Sequence, residues 1–167
     1  MKPDPAEQAI RNRMMPGELS RDGFLGHDDR PISAIADGDR APLEAAGFSC
    51  ASLAAILEEI HAAADAAAET TVSLWDGRVT ACATEVRGRI PCPFGDGHLA
   101  HKAVIDISSP AGDLRVTPLG IHMLRAHCFL QGRGAPFRIE PESLIRLAMQ
   151  TPHHHPRRDS HDGDEPR

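Results

Sequence analysis

The stretch Val72-Ser73-Leu74-Trp75-Asp76-Gly77-Arg78-Val79-Thr80-Ala81 decides how the middle of this chain folds. Asp76-Gly77 tolerates the positive φ values that a two-residue type I′ turn demands, so the flanking residues fold back as a β-hairpin. Counting outward pairs Trp75 with Arg78, Leu74 with Val79, and Val72 with Ala81. Val72, Leu74, Val79 and Ala81 then share one face, as a half-buried strand pair requires. Trp75 over Arg78 on the opposite face has the composition of a cation–π pair.

A second hairpin reads the same way. Ala103–Ser108 meets Asp113–Thr117 across Ser109-Pro110-Ala111-Gly112, a good β-turn sequence. Outward counting pairs Ile107 with Leu114, Ile105 with Val116, and Asp106 with Arg115. The apolar pairs share a face and the opposite charges meet on the other. Two registers that agree with burial predict a small antiparallel sheet of about four strands.

On either side the spacing is helical. Ser49 is a good N-cap for a helix over Cys50–Ala68, with Phe48 and Leu53 placed for a hydrophobic staple. Leu53, Ile56, Leu57 and Ile60 form its core-facing stripe. Upstream, Pro31 starts a short helix through Ala36 that Gly38 ends, and a second short segment runs from Pro42 to Ala46 before Gly47. Downstream, Thr117-Pro118 opens a helix over Leu119–Leu130, with Ile121, Leu124 and Cys128 inward and Gly132 as its stop. Pro141–Met149 is the last helix, burying Leu144, Ile145 and Ala148. The fold class is α+β, with N-terminal and C-terminal helices packed on the sheet.

Composition bounds the rest. At 167 residues the chain fits one domain, and 41% apolar residues can fill a core, though only 4% are aromatic. The expected division is an unstructured segment 1–15, one α+β domain over 16–150, and an unstructured His-rich tail over 151–167. Within that tail His153, His154, His155 and His161 could hold divalent ions weakly, but a solubilising tail explains them better. A net charge of −6 leaves no global footprint for nucleic acid or an anionic membrane. No apolar run is long enough to span a bilayer, and the N-terminus lacks the apolar region of a signal peptide. The expected location is therefore the cytoplasm. There Cys50, Cys82, Cys92 and Cys128 are expected as thiols or metal ligands and not as disulfides, with Cys50, Cys82 and Cys128 as small packing residues.

Chemistry concentrates between the hairpins. Gly88–Ala100 reads as a long connecting loop, and long ordered loops are often functional. It carries Cys92 between two prolines, then Asp96, His98 and, just beyond, His101; the following helix adds His122 and His127. Thiolate and imidazole suit zinc or another borderline transition metal, and the ligand set chosen is Cys92, His98, His101 and His122. His122 and His127 are five apart, about 140° round a helix, so at most one of them is expected to join the site. The simpler reading, which the sequence favours over a metal site, makes the same histidines backbone caps or half-buried hydrogen-bond partners.

Two other readings use different features. Cys92 could act as a nucleophile activated by His98 or His122, with Asp96 orienting the ring, although no cysteine-hydrolase signature surrounds it. The outer sheet face, with Trp75, Arg78, Thr80 and Cys82, or an exposed edge, could receive a protein partner or a second copy as a homodimer. Gly132-Arg133-Gly134 is glycine-rich and basic, but it follows a helix and does not open one, so it reads as helix capping with a flexible turn and not as an anion site. The sequence favours a small accessory or binding protein, one that could bind a zinc-like metal, over an enzyme.

Overall fold

The structure, a computed structural model, describes residues 4–154. Five helices, α1 (Pro5–Met14), α2 (Ile32–Ala45), α3 (Cys50–Ala66), α4 (Pro118–His127) and α5 (Pro141–Met149), surround four strands, β1 (Val72–Leu74), β2 (Val79–Pro91), β3 (Leu99–Ser109) and β4 (Gly112–Val116). The strands form one antiparallel meander in the order β1-β2-β3-β4. The fold is α+β, and no described helix is long and apolar enough to cross a membrane.

Both hairpin registers are present as read. Val72 faces Ala81 and Leu74 faces Val79; Ile105 faces Val116, Asp106 faces Arg115, and Ile107 faces Leu114. Asp76 and Gly77 have φ of 56° and 77°, and the Arg78 N–H bonds the Trp75 carbonyl at 3.2 Å, closing the turn. The expected cation–π contact between the Trp75 and Arg78 side chains is not found among the described residues. Trp75 itself has a φ of 50°, which turns the ring off the strand, and it meets His153 edge-on at 6.1 Å.

Burial follows the alternation. Val79, Ala81, Ala83, Ile105 and Ile107 point into a core closed by the Leu53–Leu57–Ile60 stripe of α3, Ile121 and Leu124 of α4, and Leu144 and Leu147 of α5. Ser49 and Ser52 form a reciprocal capping box at the start of α3, each hydroxyl accepting from the other's backbone N–H at 3.0–3.1 Å. A second apolar cluster joins Met14, Phe24, Leu25, Ile35, Cys92, Met123 and Phe129, so the N-terminal segment packs on the side of the molecule that carries Cys92.

Several expectations are corrected. The predicted loop over Gly88–Ala100 is sheet at both ends: β2 runs to Pro91, β3 starts at Leu99, and a register shift between Val86 and Arg89 absorbs Gly88 at φ 108°. A bulge of this kind hides a strand from sequence patterning, because it breaks the two-residue alternation. Residues 5–14 are helical, capped by Asp4, with Met14 fully buried. The two short segments around Gly38 and Pro42 are one helix, α2, held by its buried face of Ile32, Ile35, Ala36, Asp39 and Leu43. Interior Gly costs only about 1 kcal/mol, less than such a face returns. α4 ends at His127, three residues before the predicted end, and Cys128 takes the left-handed cap at φ 50°. Of the C-terminal segment, Thr151 is buried and bonds the Ala148 carbonyl, while His153 reaches Glu59 at 2.7 Å. His155 and His161 lie outside the described residues.

The cysteines divide differently from expectation. Cys50 and Cys128 form a disulfide that ties the start of α3 to the end of α4, 78 residues apart. Only Cys82 and Cys92 are free thiols. Nothing local announces such a pair; the two cysteines meet because α3 and α4 pack side by side.

Candidate metal centre

The loop that carries the candidate ligands is shorter than predicted, spanning Cys92 to His98. It closes on itself through the Cys92 N–H to the His98 carbonyl at 2.9 Å and the Gly95 N–H to the Cys92 carbonyl at 3.1 Å. Gly95 and Gly97 supply the positive φ values of 75° and 83° that let so few residues reverse direction. From outside, Arg13 of α1 donates to the Pro93 carbonyl at 2.6 Å and clamps the loop against the body.

This geometry drops Asp96 over the last two turns of α4. Asp96 Oδ1 accepts the His98 backbone N–H at 2.9 Å, while Oδ2 accepts from His122 Nε2 at 2.7 Å and His127 Nε2 at 2.8 Å. Cys92 Sγ lies 3.7 Å from the same His127 Nε2. One ligand atom from each of Cys92, Asp96, His122 and His127 falls within 4.8 Å of all the others, so this Cys/Asp/His cluster could hold a metal ion. Both imidazole rings are braced by stacking: Phe94 lies over His127 at 3.9 Å and His98 over His122 at 3.7 Å, each nearly parallel.

Electrostatics separate the groups. Burial acts to raise the Asp96 carboxyl, but the His98 N–H and the His127 and His122 rings outweigh it and hold the group well below the usual carboxylate range. Asp96 is thus an anion that accepts both ring protons. Burial pushes the Cys92 thiol up to about 11, with the neighbouring Asp96 charge adding to the effect. Burial and the adjacent His122 ring lower His98.

Of the four residues expected as ligands, the structure brings together Cys92 and His122. His98 contributes a stacked ring and a backbone donor. His101 lies on β3 opposite Arg89, exposed, and outside the cluster. The expectation that only one of His122 and His127 could face the site is corrected. Helical angle limits where the two Cβ atoms point, but the outer ring nitrogens swing inward from both sides to meet Asp96 between them. Asp96 as a candidate ligand was the residue missed; its only sequence signal is its place in Gly95-Asp96-Gly97, close to the histidines of the loop.

Gly132 and Gly134 also differ from the capping reading. A β-carbon on Gly132 would lie 2.2 Å from the Leu25 carbonyl oxygen, and one on Gly134 2.3 Å from the His27 ring. These glycines allow the segment around Phe24–Asp28 to approach backbone to backbone, with the Gly132 N–H bonding the Phe24 carbonyl at 2.8 Å and the His27 N–H bonding the Arg133 carbonyl at 2.9 Å.

Comparison with protein-family models, with curated proteins and with solved structures found no match in any of the three.

Proposed function

We propose that this protein binds a transition metal of the zinc type through Cys92, Asp96, His122 and His127, and acts as a metal-dependent accessory or binding protein. The observation that carries the reading is convergence: two Nε2 atoms aim at one carboxylate oxygen, with a thiol sulfur against one of them. Thiolate, imidazole and carboxylate are the ligand types zinc takes, and a tetrahedral ion would set sulfur and nitrogen about 3.6 Å apart. Cys92 and His127 already stand near that separation, at 3.7 Å. The ring–carboxylate hydrogen bonds would open by roughly 0.6 Å as the ion replaces the two protons.

The same geometry weighs against a nucleophilic Cys92. In a triad the carboxylate holds the ring nitrogen that faces away from the nucleophile. Here one nitrogen, His127 Nε2, faces both sulfur and carboxylate. A thiol raised to about 11 is also a poor source of thiolate.

The test is elemental analysis of the untagged full chain after exposure to zinc and exhaustive dialysis. One zinc per chain is expected, lost in Cys92→Ser and His127→Ala and kept in His101→Ala. A folded wild-type chain that retains no zinc, or a Cys92→Ser/His127→Ala double variant that still retains it, would sink the proposal.

A further inference from the structure

A cavity of about 220 Å³ opens on the side of the long β2–β3 hairpin, between that hairpin, the start of α4 and the two segments that cross near Phe24 and Gln131. It shares no residue with the Cys92 cluster. Its walls are apolar, formed by Phe24, Ile90, Ala103, Leu119 and Phe137. Three features set it apart from a packing fault.

The first is Gln131. The residue is 3% exposed and lines the cavity, and since no buried side-chain polar atom among the described residues lacks a partner, its amide, which bonds no described residue, reaches the open cavity space. An amide turned to open cavity space and not to a protein partner is placed to meet a bound molecule. The second is backbone strain at the same residue, which holds a left-handed φ of 71° where glycine would be the relaxed choice. The third is charge. Arg21 and Lys102 stand at the cavity against a single carboxylate, Asp22, and neither cation forms an ion pair among the described residues. In a chain of net charge −6, that is a local excess of positive charge.

We infer that this cavity is a binding site for a small amphipathic carboxylate, a molecule with one ring or a short acyl chain. The apolar walls take the body, the Gln131 amide donates to an oxygen of the head group, and Lys102 and Arg21 neutralise its charge. Size supports this class: a cavity of about 150 Å³ admits benzene, so the larger space here accommodates a ring bearing a short side chain. The inference stands whether or not the Cys92 cluster holds a metal.

Phenylacetate is the probe, with phenylacetamide and phenylethylamine as its neutral and cationic counterparts, titrated into the ¹⁵N-labelled full chain and followed by NMR. Phenylacetate is expected to bind at least fivefold tighter than either counterpart, shifting the Gln131 side-chain amide and the backbone amides of Ala103 and Leu119. Lys102→Gln, at an exposed position, should reduce the preference for phenylacetate over phenylacetamide, with Arg21 keeping part of it. Gln131→Leu should weaken the two probes that carry a head-group oxygen, phenylacetate and phenylacetamide, without loss of the folded spectrum. Equal affinity for the three probes, tighter binding of the amine, or shifts that miss the cavity residues would overturn the site. An unfolded Gln131→Leu leaves the decision to Lys102→Gln, where an undiminished preference for phenylacetate would also overturn it.

Discussion

A single missing β-carbon holds two distant segments together. At Gly132 any side chain would overlap the Leu25 carbonyl, and the obstacle is backbone, which cannot rotate away. Gly132→Ala is therefore expected to cost about 1–3 kcal/mol, or more if the segments separate. Urea unfolding measures it, and an unchanged midpoint would show that the close approach does not matter. Gly47 makes the useful contrast, since nothing lies within 4 Å of its absent side chain. Asp28 works at the same junction. Its carboxylate accepts from Arg30 Nη2 at 2.7 Å and from the Arg133 backbone N–H at 3.2 Å. The Arg30 guanidinium, aided by the backbone donors and opposed by burial, holds it well below the usual carboxylate range. A carboxyl depressed in the folded state stabilises the protein above its unfolded pKa of about 3.9, and that contribution fades as pH falls below it. Wild type should lose more stability than Asp28→Asn between pH 6 and pH 3. Parallel acid limbs in the two proteins would contradict this.

At the scale of elements, α3 and α4 are fastened where they lie closest. The Cys50–Cys128 disulfide closes a 78-residue span that contains the whole sheet. Constraining a loop of that length is worth about 2–4 kcal/mol, drawn mainly from the unfolded chain. Oxidised wild type is expected to exceed Cys50→Ser/Cys128→Ser by that margin in guanidinium unfolding, and reduction of wild type should bring the two together. Cys128 is also the residue after His127, so the same tie that caps α4 sits beside one candidate ligand. β2 and β3 show a different economy. Their shared bulge at Val86–Arg89 keeps both strands in one ladder while turning their far ends toward the N-terminal segment, and that end carries the Cys92 loop.

Across the whole molecule, two apolar clusters divide the work. The sheet, α3, α4 and α5 build the main core. The second cluster wraps the N-terminal segment around the Cys92 side, and its polar ties are specific: Arg13 to Pro93, Arg11 to the Arg30 carbonyl, and the buried bidentate pair of Asp39 with Arg138 at 2.8–2.9 Å. Arg13 touches none of the four candidate ligands directly but holds the loop that presents two of them. Under the metal reading, Arg13→Ala should weaken zinc retention by about tenfold, as loss of outer support does at other centres. Competition with a chromogenic chelator reads this directly. Retention equal to wild type would mean that the loop holds its shape without α1.

Much of the fold was legible because its signals are local. Asp76-Gly77 and Pro110-Ala111-Gly112 set turns whose registers follow by counting, and Ser49 and Thr117 mark helix starts through their own hydroxyls. Cys92 and His122 were legible as candidate ligands by residue type alone. What the sequence by itself determined is therefore the α+β class, the two hairpins and the loop where ligands would be sought. Only the tertiary structure decided that Cys50 meets Cys128, that Asp96 and His127 complete the cluster in place of His98 and His101, and that residues 5–14 pack as a helix beside them. Each of these depends on contacts between residues far apart in the chain, made by elements whose packing no nearby residue encodes. Turn and cap chemistry acts within a few residues, whereas a set of converging ligand atoms exists only once a loop and a helix have been laid against each other.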